Sequence, residues 1–314
     1  MPVFAYFGPA GTFTEMALDR LVERLVDGPV AAEDRIAAAN PAAAIELVRS
    51  GVADFACVPI ESSLEGSVPA TMDALVPALP GARVQVLAEV ILDIAFSIAA
   101  REAVDSDEVS TIAAYPVASA QVRTSVEKLY PGAQFLLSSS NAAAAQDVRD
   151  GKADAAVTTP LAARINGLVP IAENVSDAPD AVTRFLLVGR PTTPPARTGS
   201  DRTAVILDLA DQPGSLMAAM NEFATRGVDL TRIESRPRRG VAADPSVGKY
   251  WFFLDAVGHI DDDAVGEALR ALYRRCAQIV YLGSWPADRG TGTPPPDQAD
   301  SFVWFDAIRA GEDD

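Results

Sequence analysis

Histidine is almost missing from this sequence. His259 is the only one in 314 residues, so no histidine can serve as base or metal ligand anywhere before it. Cysteine is scarce too: Cys57 and Cys276 lie far apart, lack metal-ligand spacing, and are expected to be buried free thiols in a reducing compartment. Basic residues are outnumbered, 26 against 43 acidic ones, for a net charge of −17. That balance argues against a nucleic-acid partner, which would need a basic footprint. Long apolar runs are missing, and the opening MPVFAYFG passes into a strand without a basic leader. Neither a membrane span nor a signal peptide is expected, and a cytoplasmic location follows. No G-x-G-x-x-G follows a strand, and neither a Walker loop nor a Cys/His cluster occurs, so neither cofactor nor metal is expected. Chemistry must come from hydroxyls, carboxylates, arginine, amides and helix N-termini.

What is there suits an α/β protein. Apolar residues reach 49% with only 7% aromatics, and alanine-rich helices alternate with Val/Leu/Ile strands. The chain opens with a strand over Val3 to Gly8 and an amphipathic helix, where Thr12 and Glu15 spell a capping box. An internal echo follows. AAAIELVRSGVADFACVP, from Ala42, returns one hundred residues later as AAAAQDVRDGKADAAVTTP. The shared V-R-x-G-x-A-D-x-A predicts two similar lobes, each with a helix, a Gly C-cap and a short buried strand, the strands ending at Pro59 and Thr159. Two such lobes bind a small ligand in the cleft at their strand C-termini. Lobe 1 is expected over about 1–90 plus 171–190 and lobe 2 over about 91–170, within a domain of 1–190. The proline-rich RPTTPPARTGSD gives a linker at 191–201. A ferredoxin-like βαββαβ order then fills 202–285. The tail, 286–314, holds TGTPPPDQ, expected to be disordered, and a short helix with Phe302, Phe305 and Ile308 at helical spacing, expected to dock on the body.

Three segments place polar groups at strand ends. Around Gly8 to Thr14, N–H groups at a helix start could hold a carboxylate. In VPIESSLEGSVPATMDAL, Glu61, Ser62, Ser63 and Ser67 crowd one loop, with Ser67 placed to cap a helix that has Pro69 in its first turn. Thr183 and Arg184 stand at the mouth of the apolar run Phe185 to Val188.

Together, GPAGTFTE, VPIESSLEGSVPATMDAL, AQVR (Ala120 to Arg123) and TRF (Thr183 to Phe185) resemble the prephenate dehydratase family. QPGSLMAAMNEFATRGVDLTRIESRP is similar to an ACT regulatory domain. The resemblance runs from about Val3 to Gly283. It departs where the family has Asn and Ser62 stands, where a His-Pro is Tyr115-Pro116, and where the AQCR cysteine is Val122. At Ser62 a shorter hydroxyl replaces a carboxamide and leaves space for a water.

The resemblance implies a two-lobed, periplasmic-binding-protein-like catalytic domain followed by the ACT domain. It implies conversion of prephenate to phenylpyruvate, water and CO₂ without a cofactor. Catalytic roles fall to Thr183, Arg184, Phe185 and Glu61, and substrate contacts to Pro9, Gly11, Thr12, Ser62, Ser63, Gly66, Ser67, Gln121 and Thr159. L-Phe is implied as feedback effector, bound between two chains by Pro213, Gly214, Ser215 and Leu216 with Asp229, Leu230, Glu234, Ser235, Arg236 and Pro237. A homodimer or homotetramer is therefore expected. Two rivals stay open: an arogenate dehydratase, which performs the same elimination on an amino acid, and a non-catalytic amino-acid sensor.

Overall fold

The computed structural model describes residues 2–25, 31–77, 82–238, 249–290 and 292–312. They fall into two units, Met1–Ala74 with Val90–Val188, and Leu75–Glu89 with Gly189–Asp314.

In the first unit, lobe 1 runs β1 (Phe4–Phe7), α1 (Phe13–Leu25), β2 (Arg35–Ala38), α2 (Pro41–Arg49), β3 (Phe55–Ser62), β4 (Gly66–Ser67), α3 (Pro69–Leu75) and β5 (Gln85–Asp93). Lobe 2 runs β6 (Ser97–Ala100), β7 (Thr111–Ala114), α4 (Pro116–Gln121), α5 (Arg123–Leu129), β8 (Gln134–Leu137), α6 (Asn141–Arg149), β9 (Ala155–Thr158), α7 (Pro160–Ile165) and β10 (Val169–Ala172). The chain then returns to lobe 1 as β11 (Val182–Gly189). The sheets mirror one another: β2-β1-β3-β11-β5 in lobe 1 and β8-β7-β9-β6-β10 in lobe 2. In each, three parallel strands are followed by one that runs the other way.

The sequence echo does the same structural job twice. Asn40 and Ser140 cap α2 and α6 by accepting the N–H of Ala43 and Ala143. Both helices end before a left-handed glycine, Gly51 and Gly151, at φ 76° and 77°. The aspartate that follows pins the start of a neighbouring strand: Asp54 accepts the Val3 N–H at 2.9 Å, and Asp154 that of Thr111 at 2.8 Å. Small side chains let α6 and α7 lie close on the lobe 2 sheet, where Ala142, Ala145, Ala156 and Ala162 are buried together. The Cys57 thiol, fully buried, has its pKa pushed up by desolvation. Cys276 departs from expectation, being only half-buried; burial still raises its pKa to about 11.

The second unit runs β12 (Asp201–Asp208), α8 (Ser215–Ala224), β13 (Leu230–Pro237), β14 (Tyr250–Val257), α9 (Asp263–Arg275) and β15 (Gln278–Pro286), with sheet order β13-β14-β12-β15. This is the expected βαββαβ arrangement, with α8 and α9 packing Phe223, Ala268 and Leu272 onto the sheet. The first part of β5 belongs here as well, and it brings a charge inside. Glu89 lies 3.2 Å from Arg202, their side chains 0% and 4% exposed, and Asp255 stands 3.9 Å from Arg202 and 3.8 Å from Arg232. Such a cluster holds only because each ion has a counter-ion, so losing one partner strands a buried charge.

The segment before β12 is tied down. His259, buried, donates from Nε2 to the Pro195 carbonyl at 3.0 Å while Nδ1 accepts the Asp261 N–H, and Arg197 pairs with Asp262.

Two expectations about the tail are corrected. Apart from Thr291, outside the described residues, the stretch expected to be disordered is a strap seated on glycines. Pro295 packs on Gly258 and Pro296 on Gly227, where an added Cβ would meet the rings at 2.8 and 3.2 Å. The Thr293 N–H donates to Asp229 Oδ2 at 3.2 Å. The helix α10 (Ala299–Ala310) forms, but it is not docked: none of its residues is buried. Its apolar residues circle the axis and make no single stripe that could lie on the body.

Candidate active site

The C-terminal ends of β1 and β3 meet the beginning of β11 at one edge of the lobe 1 sheet. Ser63 fixes this junction from both sides: its N–H donates to the Val182 carbonyl at 2.9 Å, and its hydroxyl accepts the Val182 N–H at 3.0 Å. Counting inward along this antiparallel pair puts Ser62 opposite Thr183 and Glu61 opposite Arg184. Arg184 Nη2 is 3.7 Å from Glu61 Oε2, a loose ion pair with the arginine side chain 8% exposed. Adjacent strand residues project to opposite faces, so Thr183 and Arg184 work from the two sides of the edge. The Thr183 hydroxyl is half-buried and makes no hydrogen bond among the described residues. Phe185, 2% exposed, seals the strand behind it.

The loop before α1 comes next. Thr12 Oγ1 accepts the Glu15 N–H at 3.4 Å, as a cap should. Glu15 differs from the expected box, because its carboxylate takes the Gly11 N–H at 2.6 Å in place of that of Thr12. The N–H groups of Thr12, Phe13 and Thr14 thus open the helix without intrahelical acceptors. Pro9 is exposed on the loop.

Gly11 also meets lobe 2. It has φ +86°, and an added Cβ would lie 2.9 Å from that of Ala162. The buried Thr159 hydroxyl donates to the Gly11 carbonyl at 2.5 Å while capping α7 through the Ala162 N–H at 3.0 Å. Sequence reading put Thr159 at the end of an echoed strand, and its hydroxyl is engaged in joining the lobes. Phe13 joins them too, with its ring edge-on to Phe96 at 5.4 Å. That contact had no sequence signal, because Phe13 looks like any apolar residue of an amphipathic helix.

On the β3–β4 loop the Ser62 hydroxyl accepts the N–H groups of Leu64 and Glu65, both at 3.3 Å, so it shapes the turn. Gly66 pairs with Ser62 and Ser67 with Glu61 across the hairpin. Gln121, ending α4, reaches from lobe 2 to Glu65 Oε1 at 3.4 Å. Glu65 went unnoticed in the sequence, since an acidic residue at a turn is ordinary.

In the second unit the expected effector residues split into two groups. Strand register puts Leu230 beside Ala256 and Pro237 beside Tyr250, while Arg202 and Asp208 match Val257 and Trp251. The Pro213 to Leu216 loop, which follows Asp208, therefore lies at the Pro237 end, and Asp229 at the other. A cavity of about 120 Å³ at the first end is lined by Ser215, Leu216, Tyr250 and Phe252. Gly214 caps α8 with φ 85°, and the Ser215 N–H is taken by the Gln212 carbonyl.

The family model described as prephenate dehydratase matches residues 4–193, and the ACT domain model residues 203–272. The chain belongs to the prephenate dehydratase family. The prephenate dehydratase of Mycobacterium sp. (strain JLS) is 50% identical over 315 residues, 99% of this chain and 97% of that protein. The crystal structure of prephenate dehydratase in complex with L-Phe from Arthrobacter aurescens matches with a TM-score of 0.83 and 38% identity, over 98% of this chain and 99% of that one. A structure described as a novel type of quorum quenching acylase matches at 0.76 and 29%, over 91% and 98%. The prephenate dehydratase frame thus carries more than one described activity, and the site must decide.

Proposed function

We propose that this chain is a prephenate dehydratase whose centre is the edge where Glu61, Ser62, Thr183 and Arg184 meet. The observation that carries this reading is the half-buried Thr183, whose side chain makes no hydrogen bond among the described residues, next along the strand to Arg184, which pairs with Glu61. In the reaction the ring C–O bond breaks and the ring carboxylate leaves as CO₂, its bonding pair completing the aromatic ring. The departing hydroxyl takes up one proton and leaves as water, and phenylpyruvate remains. Aromatisation drives the step.

Each residue then has a task. Thr183 donates a hydrogen bond to the leaving hydroxyl and relays a proton from a water or, around the strand edge through a water, from Glu61, being too weak an acid to act alone. Arg184 receives a substrate carboxylate that competes with Glu61 for the guanidinium. The open N–H groups at the start of α1 hold the other carboxylate. Phe185 keeps water from the strand behind, which favours loss of CO₂ from a desolvated carboxylate. Pro9 and Gly11 shape the loop that presents those amides, Ser62, Ser63, Gly66 and Ser67 hold the hairpin, and Gln121 and Thr159 bring lobe 2 against it.

L-Phe acts as feedback effector at the ACT domain. The two groups of effector residues lie at opposite ends of β13, so one chain cannot close a site around so small a molecule. A second copy paired antiparallel along this edge would bring Asp229 of one chain to the Gly214 loop of the other. That makes a homodimer the smallest regulated form. We place the enzyme in the cytoplasm, where free thiols such as Cys57 persist.

The test is turnover of prephenate and arogenate side by side, with and without L-Phe. Phenylpyruvate formed from prephenate and suppressed by millimolar L-Phe is expected. A preference for arogenate would reassign the substrate, and no turnover of either would leave a sensor.

A further inference from the structure

The helix α10 stands clear of any core. Phe302, Val303, Trp304, Phe305 and Ile308 are 44%, 71%, 52%, 52% and 43% exposed, and no residue of the helix is buried. At 100° per residue these five side chains point around the whole circumference. Asp300, Ser301, Asp306 and Arg309 stand among them, yet five large apolar side chains on twelve residues still call for an interior to lie against. Among the described residues α10 has none, yet its root is fixed: Asp297 accepts the Ala299 N–H at 2.9 Å, and the strap before it is held on Gly227, Gly258 and Asp229.

We propose that α10 is covered by a second copy of this chain. The area supports this occupant. Large side chains bury about 150–250 Å² each, so five that are half exposed leave roughly 400–600 Å² of apolar surface on one small helix. A symmetric pair contributes that area twice and approaches the roughly 1,600 Å² of a standard interface once the covering surface is counted. Continuity points the same way. The strap leaves from Asp229, at one end of β13, an edge strand with Ile233 52% exposed. The regulatory pairing proposed above uses that edge, and the strap leads from there to Gln298, the cap of α10, near Glu222, Thr225 and Glu267 on the helix side of the same unit. The inference rests on the exposure of α10 itself and stands even if L-Phe proves not to be the effector.

The experiment compares the mass in solution of the full chain, a chain ending at Gln298, and the double variant Trp304→Glu/Phe305→Glu, by light scattering across protein concentrations. Prephenate turnover of each reports folding, since α10 is outside the catalytic machinery. The expected result is a smaller assembly for both altered chains, with turnover kept within about twofold. Iodide should quench Trp304 only weakly in the full chain, read against Trp304→Phe. Unchanged mass in both altered chains overturns the proposal, as does a monomeric full chain with Trp304 shielded. Binding of the full chain to anionic vesicles through α10, lost on truncation without a change of mass, overturns it as well.

Discussion

Arg184 faces Glu61 across two antiparallel strands at 3.7 Å, with the arginine buried and the glutamate 43% exposed. The glutamate is therefore the partner that can move. A substrate carboxylate arriving at Arg184 finds the guanidinium already in place and competes with Glu61 for it. Glu61→Gln separates the two tasks assigned to this residue. If it supplies the proton, kcat falls about tenfold or more while KM stays level or drops. Arg184→Lys removes the planar fork and should raise KM by about tenfold or more. Steady-state kinetics of both variants decide, and normal constants in both would remove the pair from the site.

Thr183→Ala should lower kcat by about 10²-fold or more, the range of a positioned proton-handling group. Thr183→Ser keeps the hydroxyl and should stay within about tenfold of the parent. Because the side chain makes no hydrogen bond among the described residues, neither change should move the melting temperature appreciably. A stable, fully active Thr183→Ala chain would refute the assignment.

The lobes are joined at Gly11 and Thr159. Thr159→Val deletes both the cap on α7 and the bond to Gly11, at a cost of about 1–2 kcal/mol. For a unit of this size that is about 2–8 °C in melting temperature. Gly11→Ala is expected to be worse, because a Cβ there meets Ala162 and φ is positive. Calorimetry of the two variants checks the order.

Glu222 gives a pH-dependent contribution. Its hydrogen bond from Arg226, joined by Arg275, holds the carboxyl below its ordinary value of 4.5. The unfolded chain then binds a proton that the folded one refuses, so the stabilisation is complete above about pH 4.5 and fades as the pH falls through the lower, folded value. Glu222→Gln should flatten the acid limb of the denaturation curve and leave the slope near pH 8 unchanged. An identical acid limb in the two proteins would count against this pairing.

Cys57 should resist alkylation in the native protein, since burial raises its pKa and the thiolate is the reactive form. Cys276, raised to about 11, should react slowly. Labelling followed by mass spectrometry, before and after urea, reads both; rapid native labelling of Cys57 would show that its strand opens.

How far the sequence reached depends on the range of the interaction. Periodicity, caps and the V-R-x-G-x-A-D-x-A echo are local, and they sufficed for two α/β lobes and the βαββαβ unit. Even the repeated aspartate was visible, although the strand each one pins was not. The polar residues of the β3 loop and the β11 start were picked out as groups at strand ends; that Ser62 faces Thr183 and Glu61 faces Arg184 needed the register between strands far apart in sequence. Phe13 on Phe96, Glu65 against Gln121 and the strap on Asp229 join distant segments through ordinary residues, which carry no mark of their partners. Composition alone determined that the lobes hold no histidine and that acidic residues outnumber basic ones by 43 to 26. Packing decided which hydroxyls were consumed by structure, as at Ser62 and Thr159, and which stayed open for chemistry, as at Thr183. A hydrogen bond has direction and a fixed reach, and only the folded chain brings a given donor within it.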